Sequence, residues 1–122
     1  MLSFIVEKEV SGRDWMKLTI FSRTKDVFGV IVNESEKHKS RSSIFNVTLS
    51  DNQLYKLTDN KEDKGKLIEF AFEFLFKHKK SSEIPKAFEI DSIEQMFPEF
   101  PDLVKEWANR KWTFQHLKSL LH

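Results

Sequence analysis

The sequence contains no cysteine and only three glycines among its 122 residues. Without cysteine, disulfide bonds, thiolate catalysis and cysteine-ligated zinc are excluded. Because glycine is confined to Gly12, Gly29 and Gly65, neither a phosphate-binding loop nor a dinucleotide-binding fingerprint can be written in this chain. These absences remove several common classes of metal-dependent and nucleotide-dependent protein.

An excess of one charge is missing too, since 20 basic and 19 acidic side chains leave a net charge of +1. The chain as a whole is therefore not expected to be attracted to nucleic acid or to anionic membranes. No apolar run approaches the roughly 20 residues needed to span a bilayer, and the N-terminus does not resemble a signal peptide. We expect a cytoplasmic protein with no membrane partner, and the frequent Lys, Ile, Phe and Asn suggest a bacterial or phage source.

The first part of the chain alternates between apolar and polar side chains, which is the pattern of half-buried β-strands. Four runs show this alternation and are separated by polar turns: 2–10, 15–22, 27–33 and 44–49. Short turns between consecutive strands are typical of antiparallel pairing, so we predict a four-stranded meander. The polar stretch 34–43 is predicted to be a loop between the third and fourth strands.

The two faces predicted for this sheet differ in polarity. One face is uniformly apolar, while the other mixes polar residues with a few large apolar ones: Ile5, Trp15, Phe21 and Ile31. Because antiparallel sheets commonly leave one face in water, the mixed face is expected to be partly exposed.

Helix signals replace the alternating pattern from Ser50 onward. A Ser or Asp followed three residues later by Gln or Glu has the spacing of a capping box, which marks the start of a helix. Three such pairs occur: Ser50 with Gln53, Asp59 with Glu62, and Asp91 with Glu94. Pro85 interrupts the helical pattern, and Pro101 can occupy the first position of the last helix.

Strands followed by helices in a chain of this length predict an α+β fold. We predict one domain over residues 1–122, with the β-meander in 1–50 and a helical half in 51–122. In this fold the four-stranded antiparallel sheet packs against a central apolar helix and two or three C-terminal helices.

The segment 60–80 is predicted to be this central helix, although 70–76 also alternates as a strand would. Glu69, Glu73 and Lys77 form one narrow polar stripe, and apolar residues cover the rest of the helix. Such an apolar surface is much wider than the arc of about 100° on an ordinary surface helix, so it must be covered on two sides. We predict cover by the sheet and by the C-terminal helices; the alternative is a second copy or another protein.

Motifs for catalysis, metal binding and cofactor binding are not found. The four histidines do not have the spacing of metal ligands: His38, His78, His116 and His122. No serine lies in the context of a nucleophile elbow. We therefore predict a protein that is not an enzyme and binds neither metal nor cofactor, and an active site assembled from separate elements is the alternative.

Aromatic residues make up 13% of the sequence, which is more than one sheet face would hide. Aromatic side chains are common anchors of protein interfaces. Four of them stand beside charged or polar neighbours and are the predicted interface anchors: Trp15, Phe21, Trp112 and Phe114. The alternative for each is a position at the edge of the core.

Two basic clusters are candidates for contacting phosphates, one in 36–43 and one in 77–80. Their cations are Lys37, Lys39, Arg41, Lys77, Lys79 and Lys80. If both clusters lay on one side of the molecule, they could neutralise a nucleic-acid backbone. The near-zero net charge and the adjacent Glu34 and Glu36 favour a solvated loop and a solvated helix end instead.

The functional prediction that results is a non-catalytic protein-binding module. Cysteine-free α+β proteins of this general type include immunity proteins, antitoxins and phage-encoded inhibitors, so we expect a module that occludes a partner protein, with self-association as a further option. The alternative is a nucleic-acid-associated accessory protein that uses 36–43 and 77–80. The identity of the partner does not follow, because a fold type does not establish a function.

Overall fold

The computed structural model describes residues 3–8, 15–36 and 39–120, and the side chains within 16–35 and 39–110. The strands in these residues are β1 (Ser3–Lys8), β2 (Trp15–Ser22), β3 (Val27–Glu36), β4 (Lys39–Thr48) and β5 (Ala87–Glu89). The α-helices are α1 (Asp51–Thr58), α2 (Lys64–His78), α3 (Ile93–Met96) and α4 (Phe100–Leu120). Strands come first and helices follow, which confirms the predicted α+β class.

The sheet has the strand order β1-β2-β3-β4-β5. β1 to β4 pair antiparallel with their sequence neighbours, so the predicted four-stranded meander is confirmed. β5 adds a short parallel strand beside residues 46–48 of β4. This strand was not predicted, because it directly follows the break signalled by Pro85.

One face of the sheet, here called the inward face, is buried against α2. The buried side chains on this face of β2, β3 and β4 are Met16, Leu18, Ile20, Val30, Val32, Phe45 and Val47. They alternate along each strand with more exposed neighbours, as the period of two requires.

Helix α2 lies between the sheet and the C-terminal helix α4. On the sheet side, the Phe72 ring meets Phe45 of β4 edge-on, with 5.3 Å between the ring centroids, and Phe88 of β5 at 5.9 Å. On the opposite side, the Phe70 ring stacks on Trp107 of α4 at a centroid distance of 4.7 Å. The chain itself therefore covers α2 on two sides, as predicted.

The first two helices are capped, but only one cap is the predicted one. The Ser50 hydroxyl accepts from the Gln53 N–H, and the Gln53 side-chain oxygen accepts from the Ser50 N–H, so this capping box is confirmed. The predicted box at Asp59 is wrong, because Asp59 ends α1 in the left-handed conformation with φ 54°. Asp63 caps α2 instead, and its carboxylate accepts from the Lys66 N–H at 2.8 Å.

The C-terminal helices also begin differently from the prediction. Asp91 does not cap α3, since its carboxylate accepts a hydrogen bond from Nε2 of Gln53 at 2.9 Å and so links this segment to α1. Ser92 occupies the N-cap of α3 without a capping hydrogen bond. Helix α4 begins at Phe100, which places Pro101 second rather than first.

The predicted loop at 34–43 is a regular β-hairpin, so that prediction was wrong. β3 continues to Glu36 and β4 begins at Lys39, and the register pairs Glu34 with Arg41. The strands continue here beyond the area that α2 covers. The alternation of apolar residues therefore ends, while the pairing of β3 with β4 continues. A pattern based on apolar residues cannot detect such a strand end.

Lys64, at the start of α2, ties three elements together. Its Nζ lies 2.8 Å from Oδ1 of Asp51 in α1 and 3.2 Å from Oδ1 of Asp26 in the β2–β3 turn, and its side chain is only 14% exposed. Burial alone would lower the pKa of Lys64, but the hydrogen bonds to Asp51 and Asp26 outweigh it and raise that pKa. The same hydrogen bond from Lys64 lowers the pKa of Asp51. Paired charges thus hold α1, α2 and the turn in register.

Candidate protein-binding surface

The second face of the sheet, here called the outward face, carries a row of side chains that no helix covers in the described part of the chain. Thr19 of β2 pairs with Ile31 of β3, which in turn pairs with Ile44 of β4. Ile44 is 53% exposed, and Thr19 and Ile31 are half-buried by their neighbours. Because directly opposed residues have Cβ atoms about 4.5–5.5 Å apart, the three form one continuous ridge, here called the central row.

Phe21, a predicted interface anchor, borders the central row. It pairs with Gly29, and its ring lies so close over that glycine that an added Cβ would overlap it. The guanidinium carbon of Arg23 lies 5.0 Å from the centroid of the same ring, within cation–π range. Phe21 is therefore half-buried on the outward face and widens its apolar surface.

The strand positions of the outward face whose side chains are described are almost without charge. Its other described positions on β2, β3 and β4 are Lys17, Val27, Gly29, Asn33, Ser35, Ser40, Ser42, Asn46 and Thr48. Lys17 carries the only charge among these described positions, and the Ser42 hydroxyl donates to Oδ1 of Asn33 at 2.5 Å. Few charges at the centre and neutral polar groups around it are typical of the middle of a protein interface.

Among the residues that the structure describes, no strand pairs with one edge of the sheet beside the central row. β5 pairs with β4 only at residues 46–48. The preceding part of β4, here called the open edge (residues 39–44), has exposed side chains at 39–42 and at Ile44. Unpaired backbone groups along a sheet edge are a template for another strand.

The structure brings the described members of the two basic clusters to one end of the molecule. The Ser81 hydroxyl donates to the carboxylate of Glu34 at 2.7 Å, and Glu34 is buried at 7% exposure. Arg41 is the register partner of Glu34, and Lys80 directly precedes Ser81. Lys39, Arg41, Lys77 and Lys80 are exposed, and Lys79 is half-buried.

Four predicted site residues have side chains outside the described part of the structure: Trp15, Lys37, Trp112 and Phe114. Trp15 is the first residue of β2, and Trp112 and Phe114 belong to α4 by their backbone. Their proposed roles as interface anchors and as a phosphate contact stay predictions.

Two shallow clefts lie on the helical side, with volumes of about 180 and 200 Å³. Both are smaller than the roughly 300–1,000 Å³ of typical small-molecule sites. Asp91 and Glu94 are among the residues that line the first, and Glu73, Lys77 and Arg110 among those that line the second. Within the described residues, no cluster of three His, Asp or Glu side chains is placed to hold a metal ion, and none of the helices there is long and apolar enough to pass through a bilayer.

Sequence reasoning missed Ile44 and the open edge. Ile44 was predicted to start a strand after a loop, whereas it lies in the middle of a ten-residue strand. The stretch 34–43 contains neither Gly nor Pro, the residues that most often mark turns, and this was the available signal for a continuous hairpin.

No protein-family model, no curated protein and no solved structure matches this chain. The outward face and the open edge therefore carry the functional inference.

Proposed function

We propose that this chain is a non-catalytic protein-binding module that docks its outward face on another protein. The observation that supports the proposal is the central row, a ridge with Ile44 53% exposed among described positions of β2 to β4 that are nearly uncharged. Removing such apolar surface from water stabilises a complex by about 25 cal/mol per Å². Lys39 and Arg41 are exposed on the same strand as Ile44, but alternation turns their side chains to the other face, so the complementary partner presents an apolar patch to the ridge and acidic groups to the start of β4.

A module of this kind acts by occlusion, as immunity proteins, antitoxins and phage-encoded inhibitors do. The apolar ridge supplies affinity, and the exposed cations at the start of β4 steer the partner and set its orientation. The lack of cysteine suits a reducing compartment, and we place the module in the cytoplasm.

The proposal is tested by Ile44→Asp, with Met96→Asp as the matched control. Met96, on α3, is also an exposed apolar residue, at 43% exposure, so both variants add a carboxylate to an exposed apolar position. A partner captured from the source cell, identified and purified, should bind the wild type and Met96→Asp alike. Its affinity for Ile44→Asp should fall at least about tenfold, the loss expected at an interface hot spot.

Hydrogen exchange of the complex gives an independent measurement of the same surface. Amides of β3 and β4 around the central row should gain protection on binding. Equal affinity of Ile44→Asp and the wild type, with protection confined to the helices, would refute docking through the outward face.

Nucleic-acid association is a second candidate function, and one observation favours it. The exposed cations Lys39, Arg41, Lys77 and Lys80 lie at one end of the molecule. If they contact phosphates, the logarithm of the association constant for a single-stranded oligonucleotide should fall linearly with the logarithm of salt concentration, with a slope of about −0.7 per neutralised phosphate. Absence of binding at low salt would remove this candidate.

A further inference from the structure

The backbone of the open edge points to the form in which the partner binds. Asn46 donates its N–H to the carbonyl of Lys86 at 2.7 Å, away from β3. Successive residues of a strand point their N–H and C=O groups to alternate sides. The backbone groups of Ile44, Ser42 and Ser40 therefore point the same way as those of Asn46, but β5 does not extend beside them.

The segment before β5 cannot close this edge. Pro85 has no N–H to donate, and Ile84 turns into the core at 3% exposure. Further back, Ser81 is held beneath the sheet by its hydrogen bond to Glu34. Within the described part of the chain, residues 81–85 thus do not pair with the backbone groups of 40–44.

We infer that an extended segment of the partner adds to the open edge as a further strand beside residues 40–44. This inference rests on the proposed function and specifies its binding mode. Edge pairing supplies backbone hydrogen bonds, and the flanking side chains set the sequence that fits. Because side chains alternate between faces, apolar or β-branched residues would lie beside Ile44 and acidic residues beside Lys39 and Arg41.

A second copy of this chain fits the open edge less well. Two copies paired antiparallel along 40–44 would bring Lys39 and Arg41 of both chains into one short ribbon. Like charges on adjacent paired strands destabilise the pairing, and charged residues on an edge strand commonly prevent self-association. An acidic segment meets the same cations with opposite charge.

The test uses a defined probe, a capped hexapeptide of alternating valine and glutamate, titrated into the full chain and followed by NMR chemical shifts. Ser42→Pro removes the backbone N–H at the centre of the open edge that points away from β3. An edge strand tolerates proline at such a position. Ser42→Ala is the matched control, since both variants lose the hydroxyl that bonds Asn33 while only proline loses the N–H.

We expect the wild type and Ser42→Ala to bind the peptide equally, with shifts centred on β4. Ser42→Pro should bind about tenfold more weakly, the effect of one lost hydrogen bond and the neighbouring distortion. A peptide methylated on alternate backbone nitrogens should also bind more weakly. This measurement tests edge pairing even if Ser42→Pro does not fold. A valine–lysine peptide should not bind, because it repels Lys39 and Arg41.

Three outcomes would overturn the edge-strand inference. The first is that neither change weakens binding: the methylated peptide binds the wild type as tightly as the unmethylated peptide does, and the valine–glutamate peptide binds a folded Ser42→Pro as tightly as the wild type. The second is a concentration-dependent dimer that disappears in Ser42→Pro, and the third is tighter, salt-sensitive binding of an oligonucleotide than of the peptide. If the natural partner binds Ser42→Pro normally but not Ile44→Asp, edge pairing fails while docking through the outward face stands; if it binds both normally, the two proposals fail together.

Discussion

The inward and outward faces of the sheet both carry β-branched residues, but in very different surroundings. Val30 and Val32 of β3 are fully buried, while Ile31 between them is only half-buried and its neighbour Ile44 is 53% exposed. The difference is made by α2, which covers one face only. A β-branched residue thus helps to predict a strand. Whether a helix packs on its side of the sheet determines whether it stabilises the fold or remains available to a partner.

The largest expected effect comes from removing the ring through which α2 seals the inward face. Phe72 is fully buried and lies against Phe45 and Phe88. Phe72→Ala should lower the free energy of unfolding by about 3–5 kcal/mol, measured by urea denaturation with an unchanged m-value, because it removes apolar contacts and leaves a cavity.

Phe72→Leu is the matched control for this change, since it keeps most of the volume and should cost clearly less. A loss below about 1 kcal/mol for Phe72→Ala would mean that the inward face does not depend on α2 for its cover. The contrast between the two faces would then be lost.

Gly29→Val tests packing on the outward face. A side chain at Gly29 must displace the Phe21 ring, so the variant should lose about 1–3 kcal/mol of stability, the cost of overpacking. In a Phe21→Ala background the same change should cost much less, because the two sites are in contact and their effects are not additive. Equal costs in both backgrounds, measured by denaturation, would show that the ring does not lie over Gly29.

Lys64→Met tests the ionic link at the start of α2, beside the inward layer. It should cost about 1 kcal/mol near neutral pH, because it removes the hydrogen bonds to Asp51 and Asp26 from partly exposed carboxylates. Lys25→Met is the control: Lys25 lies 3.2 Å from Asp51, its one ion-pair partner among the described residues, and is 79% exposed, so its loss should cost less.

The same difference in stability should depend on pH at both extremes. The pKa of Lys64 is raised in the fold, so its contribution is complete below its unfolded pKa and disappears as pH rises through the folded value. The pKa of Asp51 is lowered, so its contribution is complete above its unfolded pKa and disappears as pH falls through the folded value. The difference between wild type and Lys64→Met should therefore be flat from about pH 5 to 9 and shrink outside that window. A constant difference down to pH 2 would show that Asp51 does not take part.

The layers could be predicted well because buried positions recur at regular intervals along a strand or a helix. The alternation in β2 to β4 and the wide apolar surface of α2 identified both partners of the inward face. The hairpin at 34–43 was missed because the polar residues at these strand ends do not alternate with apolar ones. The Asp63 cap was missed because several acidic residues precede α2 and each could cap it. The open edge could not be predicted at all, because it depends on where residues 81–86 cross β4, a relation between distant segments.

The smallest expected effect on stability is that of Ile44→Thr. Thr keeps the β-branch, and the site is already half in water, so the free energy of unfolding should change by less than about 0.5 kcal/mol. Val47→Thr in the same strand is the matched inward change; it places a hydroxyl at a fully buried site and should cost about 1–3 kcal/mol. Denaturation of both variants measures the contrast between the faces directly. If Ile44→Thr cost as much as Val47→Thr, the central row would have to be packed within the monomer, and a surface already used in folding could not also be available for a partner.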